Sequence, residues 1–252
     1  MSNPQEFYLA HMHNKTGYRA TWDPGRPLII GQIGKLDQSG SFNVFSTLAK
    51  EGIPAELLED PSSSEMDYTS HNSVTIDFKL AGKAPKAGSV LTEADAGISF
   101  SFKGEKSVVF QTSGHKTHQL TNLAEIEHMI LDKYKHDNWK KDWLVITQLV
   151  EAVTATIIIS NSSNGSLELK AKAGAGTNEV KLTDASLGLS VAKEKGSTLK
   201  YIAQSGITPL YKVMGIRHPL FGKPQLGTKG IDYEAQSEEF RIQDFDPGEI
   251  KN

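Results

Sequence analysis

The sequence predicts an α+β fold: a large, mostly antiparallel, twisted sheet with hairpins and a few helices. First, residues 143–159 contain no Gly, Pro or Asn and are dense in β-branched residues, which favours a strand. Second, several short segments alternate apolar and polar residues, as half-buried antiparallel strands do. Third, residues 122–136 form the one stretch with a clear helical repeat. Strands that follow one another along the chain favour antiparallel pairing.

The first 54 residues predict short elements joined by turns. Residues 7–9 are predicted to be an edge strand, and residues 28–30 a short buried strand. Residues 45–51 are predicted to form a short helix, because Gly52 and Pro54 follow it as typical helix-ending residues.

Two segments in the next part of the chain alternate cleanly. Residues 73–80 place four apolar side chains on one face, and residues 98–102 repeat the pattern. The polar residues 103–106 then predict a hairpin loop, with residues 108–110 as the returning strand.

The predicted helix at 122–136 begins at Asn122, a favourable N-cap residue. Glu125 follows at the spacing of a capping box. The apolar residues of its buried face are Leu123, Ile126, Ile130 and Tyr134.

Residues 143–159 would extend on the order of 55 Å as one strand, so we expect either a bulge near Glu151 and Ala152 or a long twisted central strand. A turn at residues 161–165 and an alternating strand at 166–172 follow.

The last predicted hairpin pairs residues 187–191 with residues 198–202 around the charged turn 193–196.

Composition narrows the function classes. The chain has no cysteine, which excludes disulfides, thiolate metal sites and a cysteine nucleophile. The formal net charge of −3 gives no global electrostatic case for nucleic acid as a partner. The sequence shows neither a signal peptide nor a long apolar helix, so we expect a cytoplasmic protein.

The charge is unevenly distributed along the chain. We predict one domain over residues 1–230 and an acidic tail over residues 231–252, which carries seven acids and two bases. Large apolar residues in that tail are unusual for a purely solubilising segment. We therefore expect three tail anchors, namely Phe240, Ile242 and Phe245. The basic residues expected to contact the tail or a membrane are Arg19, Arg217 and Lys223.

No catalytic motif is present, and we expect no catalytic residues, no cofactor and no metal. His11 and His13 would share one face of a strand, but no third metal ligand lies near them in sequence. Gly31 and Gly34 are too close together for a phosphate-binding loop. An enzyme built on scattered acids and histidines remains an alternative.

A cluster of lysines with Trp139 could contact nucleic acid or anionic lipid, although a solvated helix end is the commoner explanation. Its members are Lys133, Lys135, Lys140 and Lys141.

The order of these parts resembles the pore-forming domain of the gasdermin family. In that family a helix leads into a "V-V-T-E-V" strand and a "G-S-x-L-x-F" strand follows. The matching strings are Trp143-Leu-Val-Ile-Thr-Gln-Leu-Val and Gly196-Ser-Thr-Leu-Lys-Tyr-Ile-Ala. The resemblance covers roughly residues 70–205. The chain departs from the family in having no N-terminal cysteine for an acyl chain and no evident protease-cleaved linker.

The resemblance implies a soluble monomer that oligomerises on an anionic lipid membrane through extending β-hairpins, and that becomes membrane-associated when activated. Every backbone group must be paired within a membrane, so such strands require a closed arrangement. The alternative is a soluble, non-enzymatic β-rich binding or scaffolding protein, because alternating strands are also common in soluble sheets.

Overall fold

The computed structural model describes residues 3–70, 73–172, 180–217 and 239–242, with Arg217 and residues 239–242 described by their backbone only. The helices in this part of the chain are α1 (Pro4–Thr16), α2 (Leu123–Lys135) and a 3-10 turn (Ala185–Leu187). The first eight strands are β1 (Arg19–Ala20), β2 (Gln32–Leu36), β3 (Phe42–Thr47), β4 (Leu57–Leu58), β5 (Ser64–Thr69), β6 (Val74–Lys79), β7 (Gly97–Phe102) and β8 (Ser107–Leu120). The others are β9 (Leu144–Ser160), β10 (Gly165–Lys170), β11 (Ser190–Lys195), β12 (Thr198–Arg217) and β13 (Glu239–Ile242).

The described strands form two antiparallel sheets. The large sheet has nine strands, with the central order β1-β12-β9-β2-β3; β8 also pairs with β9, β4 and β5 pair with β8, and β13 pairs with β12. The small sheet has four strands in the order β11-β10-β7-β6. This architecture confirms the predicted α+β fold with a large antiparallel sheet.

The strand β9 lies at the centre of the large sheet, as predicted. Its 17 residues pair with β12 along nearly the whole length and with β8 from Gln148 to Ser160. The isoleucines near the C-terminal end of β9 point to opposite faces of the sheet. Ile157 and Ile159 pack in the core that contains α1, and Ile158 packs in the core formed with the small sheet. The register shifts in the β9–β12 ladder include one between Ile207 and Leu210, opposite the predicted bulge position.

The N-terminal residues form a helix, so the predicted edge strand at residues 7–9 is wrong. Asn3 caps the helix by accepting a hydrogen bond from the Gln5 N–H (3.1 Å), Pro4 occupies its first turn and Gly17 ends it with φ +70°. Phe7 and Tyr8 are buried against the large sheet. Burial of these side chains outweighs the local strand preference of the aromatic residues.

Two other predictions for the first third are also wrong. Residues 28–30 are irregular, although Leu28 is buried. The predicted helix at 45–51 is instead the end of β3 followed by a turn, with Gly52 at φ +71°. Pairing of β3 with β2 fixes this segment as a strand, and Leu48 fills the core just beyond it.

The helix α2 is confirmed, with Ile126 and Ile130 fully buried and Tyr134 partly buried in one core. The predicted capping role of Asn122 is not observed. Its side chain makes no cap hydrogen bond to α2; it accepts a hydrogen bond from the Glu56 N–H (2.9 Å) and donates to Pro54 (3.2 Å) and Glu125 (3.1 Å). Asn122 therefore ties the preceding segment to the start of the helix.

We expect Ile130→Asp to lower the free energy of unfolding by about 4 kcal/mol, because it removes a buried apolar side chain and leaves a charge unpaired in the core. Ile130 has no exposed surface. Urea denaturation measures the effect, with His128→Asp at an exposed position of α2 as the control. Equal midpoints for the two variants would contradict the packing described for α2.

Candidate functional site

Short links, two of them at predicted turns, connect the two sheets instead of forming hairpins. The third predicted turn, at residues 193–196, lies mostly within β11. Residues 103–106 lead from β7 in the small sheet to β8 in the large sheet. Residues 161–164 lead from β9 to β10, and residues 196–197 lead from β11 to β12, which also change sheets. The predicted hairpins at 98–110 and 187–202 are therefore wrong. Short polar segments have the same composition whether they form hairpin turns or connect two sheets. Only the pairing partners of the flanking strands distinguish the two arrangements.

These links, together with Ser70 and Ser73 at the facing ends of β5 and β6, meet along a single corner of the molecule. Four strands of the large sheet pair in the order β5-β8-β9-β12, and their continuations in the small sheet pair in the order β6-β7-β10-β11. Each strand therefore keeps the same neighbours on both sides of the corner. The two sheets contain one four-stranded sheet that is folded across the corner.

The central pair of this folded sheet keeps its register through the corner. Ser107 pairs with Ser160 in the large sheet, and Phe102 pairs with Gly165 in the small one. Each chain moves five positions between these pairs, so straightening both strands requires no slippage between them. The two outer strand pairs change register at the corner. Thr69 pairs with Val109 in the large sheet, and Val74 pairs with Phe102 in the small sheet. On the other side, Ser160 pairs with Thr198 in the large sheet, and Ser166 pairs with Lys195 in the small sheet.

Serine side chains satisfy the backbone groups that the corner removes from the ladders. Ser70 Oγ accepts a hydrogen bond from the Val108 N–H (3.0 Å) and lies 2.6 Å from Ser73 Oγ. Ser162 Oγ accepts from the Ser197 N–H (2.8 Å). The Val108 N–H is buried and needs such a partner, so Ser70 in particular stabilises the bent state. In the sequence, these serines stand just before or just after segments that form strands.

The small sheet has one apolar and one polar face. Its apolar face packs against Val109 and Ile158 of the large sheet. The register places the apolar residues in rows across the strands, one of which consists of Phe78, Ile98, Leu169 and Val191. Ala171, whose N–H donates to the Ala96 carbonyl (2.9 Å), continues the pattern beyond the assigned strands. Glu194 interrupts the apolar face beside Leu167, where it pairs with Lys200 (2.6 Å).

The loop 80–96 lies across part of the polar face and is held there by hydrogen bonds. Glu168 accepts from the Val90 N–H (2.9 Å) and from Ser89 Oγ (3.2 Å), and Lys193 Nζ donates to the Gly88 carbonyl (2.7 Å). An ion pair joins Lys170 and Asp95 (2.6 Å). The hydrogen bond from the Lys170 ammonium group holds the pKa of Asp95 well below its usual range, and hydrogen bonds from Thr92 contribute to the same effect. The connection between β6 and β7 is thus fastened to β10 and β11.

The two N-terminal histidines do not form the shared face that their spacing predicted for a strand. They lie two residues apart on α1, which separates their directions by about 200°. Burial, followed by the charges of Lys15 and Lys106, lowers the pKa of His11. Among the residues that the structure describes, no group of three or more His, Asp or Glu side chains is arranged to hold a metal ion.

The predicted basic contact residues lie in different settings. Arg19 is in β1 with only 5 % of its surface exposed. Arg217 ends β12, where its backbone pairs with Glu239. Lys223 lies outside the described residues, and the contacts expected of all three stay predictions.

The predicted tail anchors lie only partly in the described region. Phe240 and Ile242 belong to β13, which pairs with Ile216 and Met214 at the outer edge of β12. Phe245 lies outside the described residues. Residues 239–242 therefore extend the large sheet, while the anchoring role of these side chains stays a prediction.

The lysine cluster lies at the end of β9 that is far from the corner. Lys135, Lys140 and Lys141 are exposed, and Trp139 is buried beside Trp143, with ring centroids 5.2 Å apart. The buried indole packs in the core of α2, so it is unavailable for contact with a partner.

A cleft of about 600 Å³, which the sequence did not indicate, opens on the middle of the large sheet. Its walls include Leu28, Ile29 and Leu57. On its floor, His118 Nδ1 accepts from the Asp60 N–H (3.4 Å), and Nε2 lies 3.4 Å from the Glu151 carboxylate. A mostly apolar cleft with a few polar groups is typical of a binding site for a small molecule.

Comparisons with known proteins identify no close relative. No protein-family profile and no curated protein matches the sequence. The cryo-EM structure of the gasdermin A3 membrane pore is similar to 95 % of this chain and 94 % of that chain, with a TM-score of 0.35 and 9 % sequence identity. This is a weak resemblance of overall fold, and it carries no argument about function. In the described part of the chain, no helix is long and apolar enough to cross a membrane.

Proposed function

We propose that this chain is a non-enzymatic, pore-forming protein whose folded four-stranded sheet straightens at the corner and inserts into an anionic lipid membrane. The observation that carries the proposal is the identical strand order on the two sides of the corner, with a continuous register in the central pair. Straightening would preserve most interstrand hydrogen bonds, so few backbone groups would have to find new hydrogen-bond partners.

The two faces of the small sheet suit such an insertion. A membrane strand needs about 9–11 residues, with alternate side chains facing lipid and an aqueous interior. Each six-residue strand of the central pair reaches that length when its link through the corner is added. In the membrane, Phe100 and Leu167 would exchange the core of the soluble state for lipid. Lipid can replace that core because both surroundings are apolar.

The edges of the small sheet favour assembly with further copies. Within the described residues, β6 pairs only with β7, and β11 pairs only with β10. Unpaired strand edges are templates for pairing with another chain, and different edges on the two sides produce a head-to-tail arrangement that can close into a ring. Ring closure would pair every backbone group, as the hydrocarbon interior requires.

The tail strand β13 gives the proposal a control element. It covers the outer edge of β12 from Met214 to Arg217, on the strand that continues the small-sheet edge strand β11 into the large sheet. We propose that the tail, with Phe240, Ile242 and Phe245 as anchors, keeps the protein a soluble cytoplasmic monomer. Its seven acids would also repel an anionic membrane until the tail is displaced.

We expect removal of residues 231–252 to increase binding to anionic liposomes and dye leakage from them, because it removes both the edge cover and the acidic charge. Added salt should weaken the binding, since it screens charges at a membrane surface. Cosedimentation and dye release measure these effects, with neutral liposomes as the control. Equal behaviour with both lipids and no leakage from either would contradict the proposal.

The cleft supports a second candidate, a soluble β-rich binding protein. Its volume and apolar walls would accommodate a small molecule without any movement at the corner. The two candidates differ in one respect: a binding protein would not release dye from liposomes with or without its tail.

A further inference from the structure

We propose that the pore formed by this chain favours the passage of anions, because the polar face of the small sheet carries an excess of positive charge. The inference rests on the proposed function and concerns what the pore would select. Rings of charged side chains along a pore determine which ions pass, and substitutions on the inner face change that selectivity.

The register identifies which residues face the interior. Apolar side chains of β6, β7 and β10 share one face, so their polar neighbours share the other. Row by row, the charged residues of that face are Lys195 in the first row, Asp77, Glu168 and Lys193 in the second, and Lys79 and Lys170 in the third. Four positive and two negative charges leave +2 per subunit.

The third row contributes most of this excess. Lys79 and Lys170 both pair with Gly97 and therefore lie in one row, which contains no acid in the four strands. In the second row, Lys193 offsets one of the two acids. Repeated around a ring, the third row would form a belt of two lysines per subunit.

In the soluble state, the loop 80–96 pairs with both lysines of the third row. Lys170 is paired with Asp95 (2.6 Å), and Lys79 Nζ donates to the Asp95 carbonyl (2.5 Å). These contacts join the sheet to the loop of the β6–β7 hairpin, which lies at the end remote from the corner. This end would have to cross the membrane first. Insertion would separate them and leave both ammonium groups facing water in the pore.

Planar lipid bilayers test the inference with the full chain under a potassium chloride gradient. We expect a reversal potential whose sign reports a chloride preference. The preference should be clearest near 0.01 M salt, where the Debye length is about 30 Å, and should fade near 1 M, where it is about 3 Å. Fluorescent dextrans of equal size and opposite charge should show the same preference in release from liposomes.

Charge variants identify the residues responsible. Lys79→Gln with Lys170→Gln should remove the preference, because the charge per subunit becomes zero. Lys79→Glu with Lys170→Glu should reverse it, because the charge becomes −2. The pair Lys140→Glu and Lys141→Glu changes the net charge equally but lies on the exposed link before β9, so it should leave the preference unchanged.

The possible results separate this inference from the pore proposal. Conductance with a cation preference, or with no preference at low salt, would overturn the inference while supporting a pore. Absence of both conductance and leakage would overturn both. The permeability ratio is independent of how many pores form, so a change in stability of a variant does not obscure it.

Discussion

An oxidised Ser70→Cys/Ser73→Cys variant should lose its ability to release dye from liposomes, and reduction should restore it. The two hydroxyl oxygens are 2.6 Å apart in the bent state, which suits replacement by a disulfide. Residues three apart in an extended strand have Cα atoms about 10 Å apart, whereas a disulfide requires about 4.4–6.8 Å. The cross-link would therefore hold β5 and β6 in their bent arrangement.

The chain provides a clean background and a matched control for this experiment. It has no native cysteine, so no other disulfide can form. Ser39 and Ser41 also have hydroxyl oxygens close together (3.1 Å), but they lie in the turn between β2 and β3 in the large sheet. Oxidised Ser39→Cys/Ser41→Cys should release dye normally. Equal leakage from the oxidised and reduced forms of the Ser70/Ser73 variant would exclude straightening at the corner.

Phe78→Arg should abolish leakage while leaving the soluble protein nearly as stable as before. Phe78 is 54 % exposed in the soluble state, so a charge there should change the free energy of unfolding by less than about 0.5 kcal/mol. In the pore it would face lipid in the row of Ile98 and Leu169, where an arginine costs about 2–4 kcal/mol at the bilayer midplane. Each subunit of a ring would contribute that cost.

Ser99→Arg is the matched control for this substitution. Ser99 lies on the polar face, in register with Asp77 and Glu168, so an arginine there would face water beside two acids. Thermal unfolding of both variants, measured with dye release from the same liposomes, separates an effect on insertion from an effect on folding. Normal leakage by the Phe78 variant would contradict the assignment of this face to lipid.

The sequence by itself determined the elements whose pattern is long or strongly periodic. Residues 143–159 could be predicted as the long central strand because seventeen positions favour the same conformation, and Ile126 and Ile130 marked the buried face of α2. The alternation in β6, β7 and β10 also predicted the two faces of the small sheet. These features follow from local preferences and from the periodicity of each element.

Only the tertiary structure decided which strands pair. The links 103–106 and 196–197 have the composition of hairpin turns, yet each joins strands of different sheets, because the partners of β7 and β11 are remote in sequence. Burial against the large sheet likewise made residues 7–9 part of a helix. A turn sequence specifies that the chain bends, whereas long-range packing determines where the next strand lies. The folded corner, from which the proposed function follows, is therefore a property of the tertiary structure.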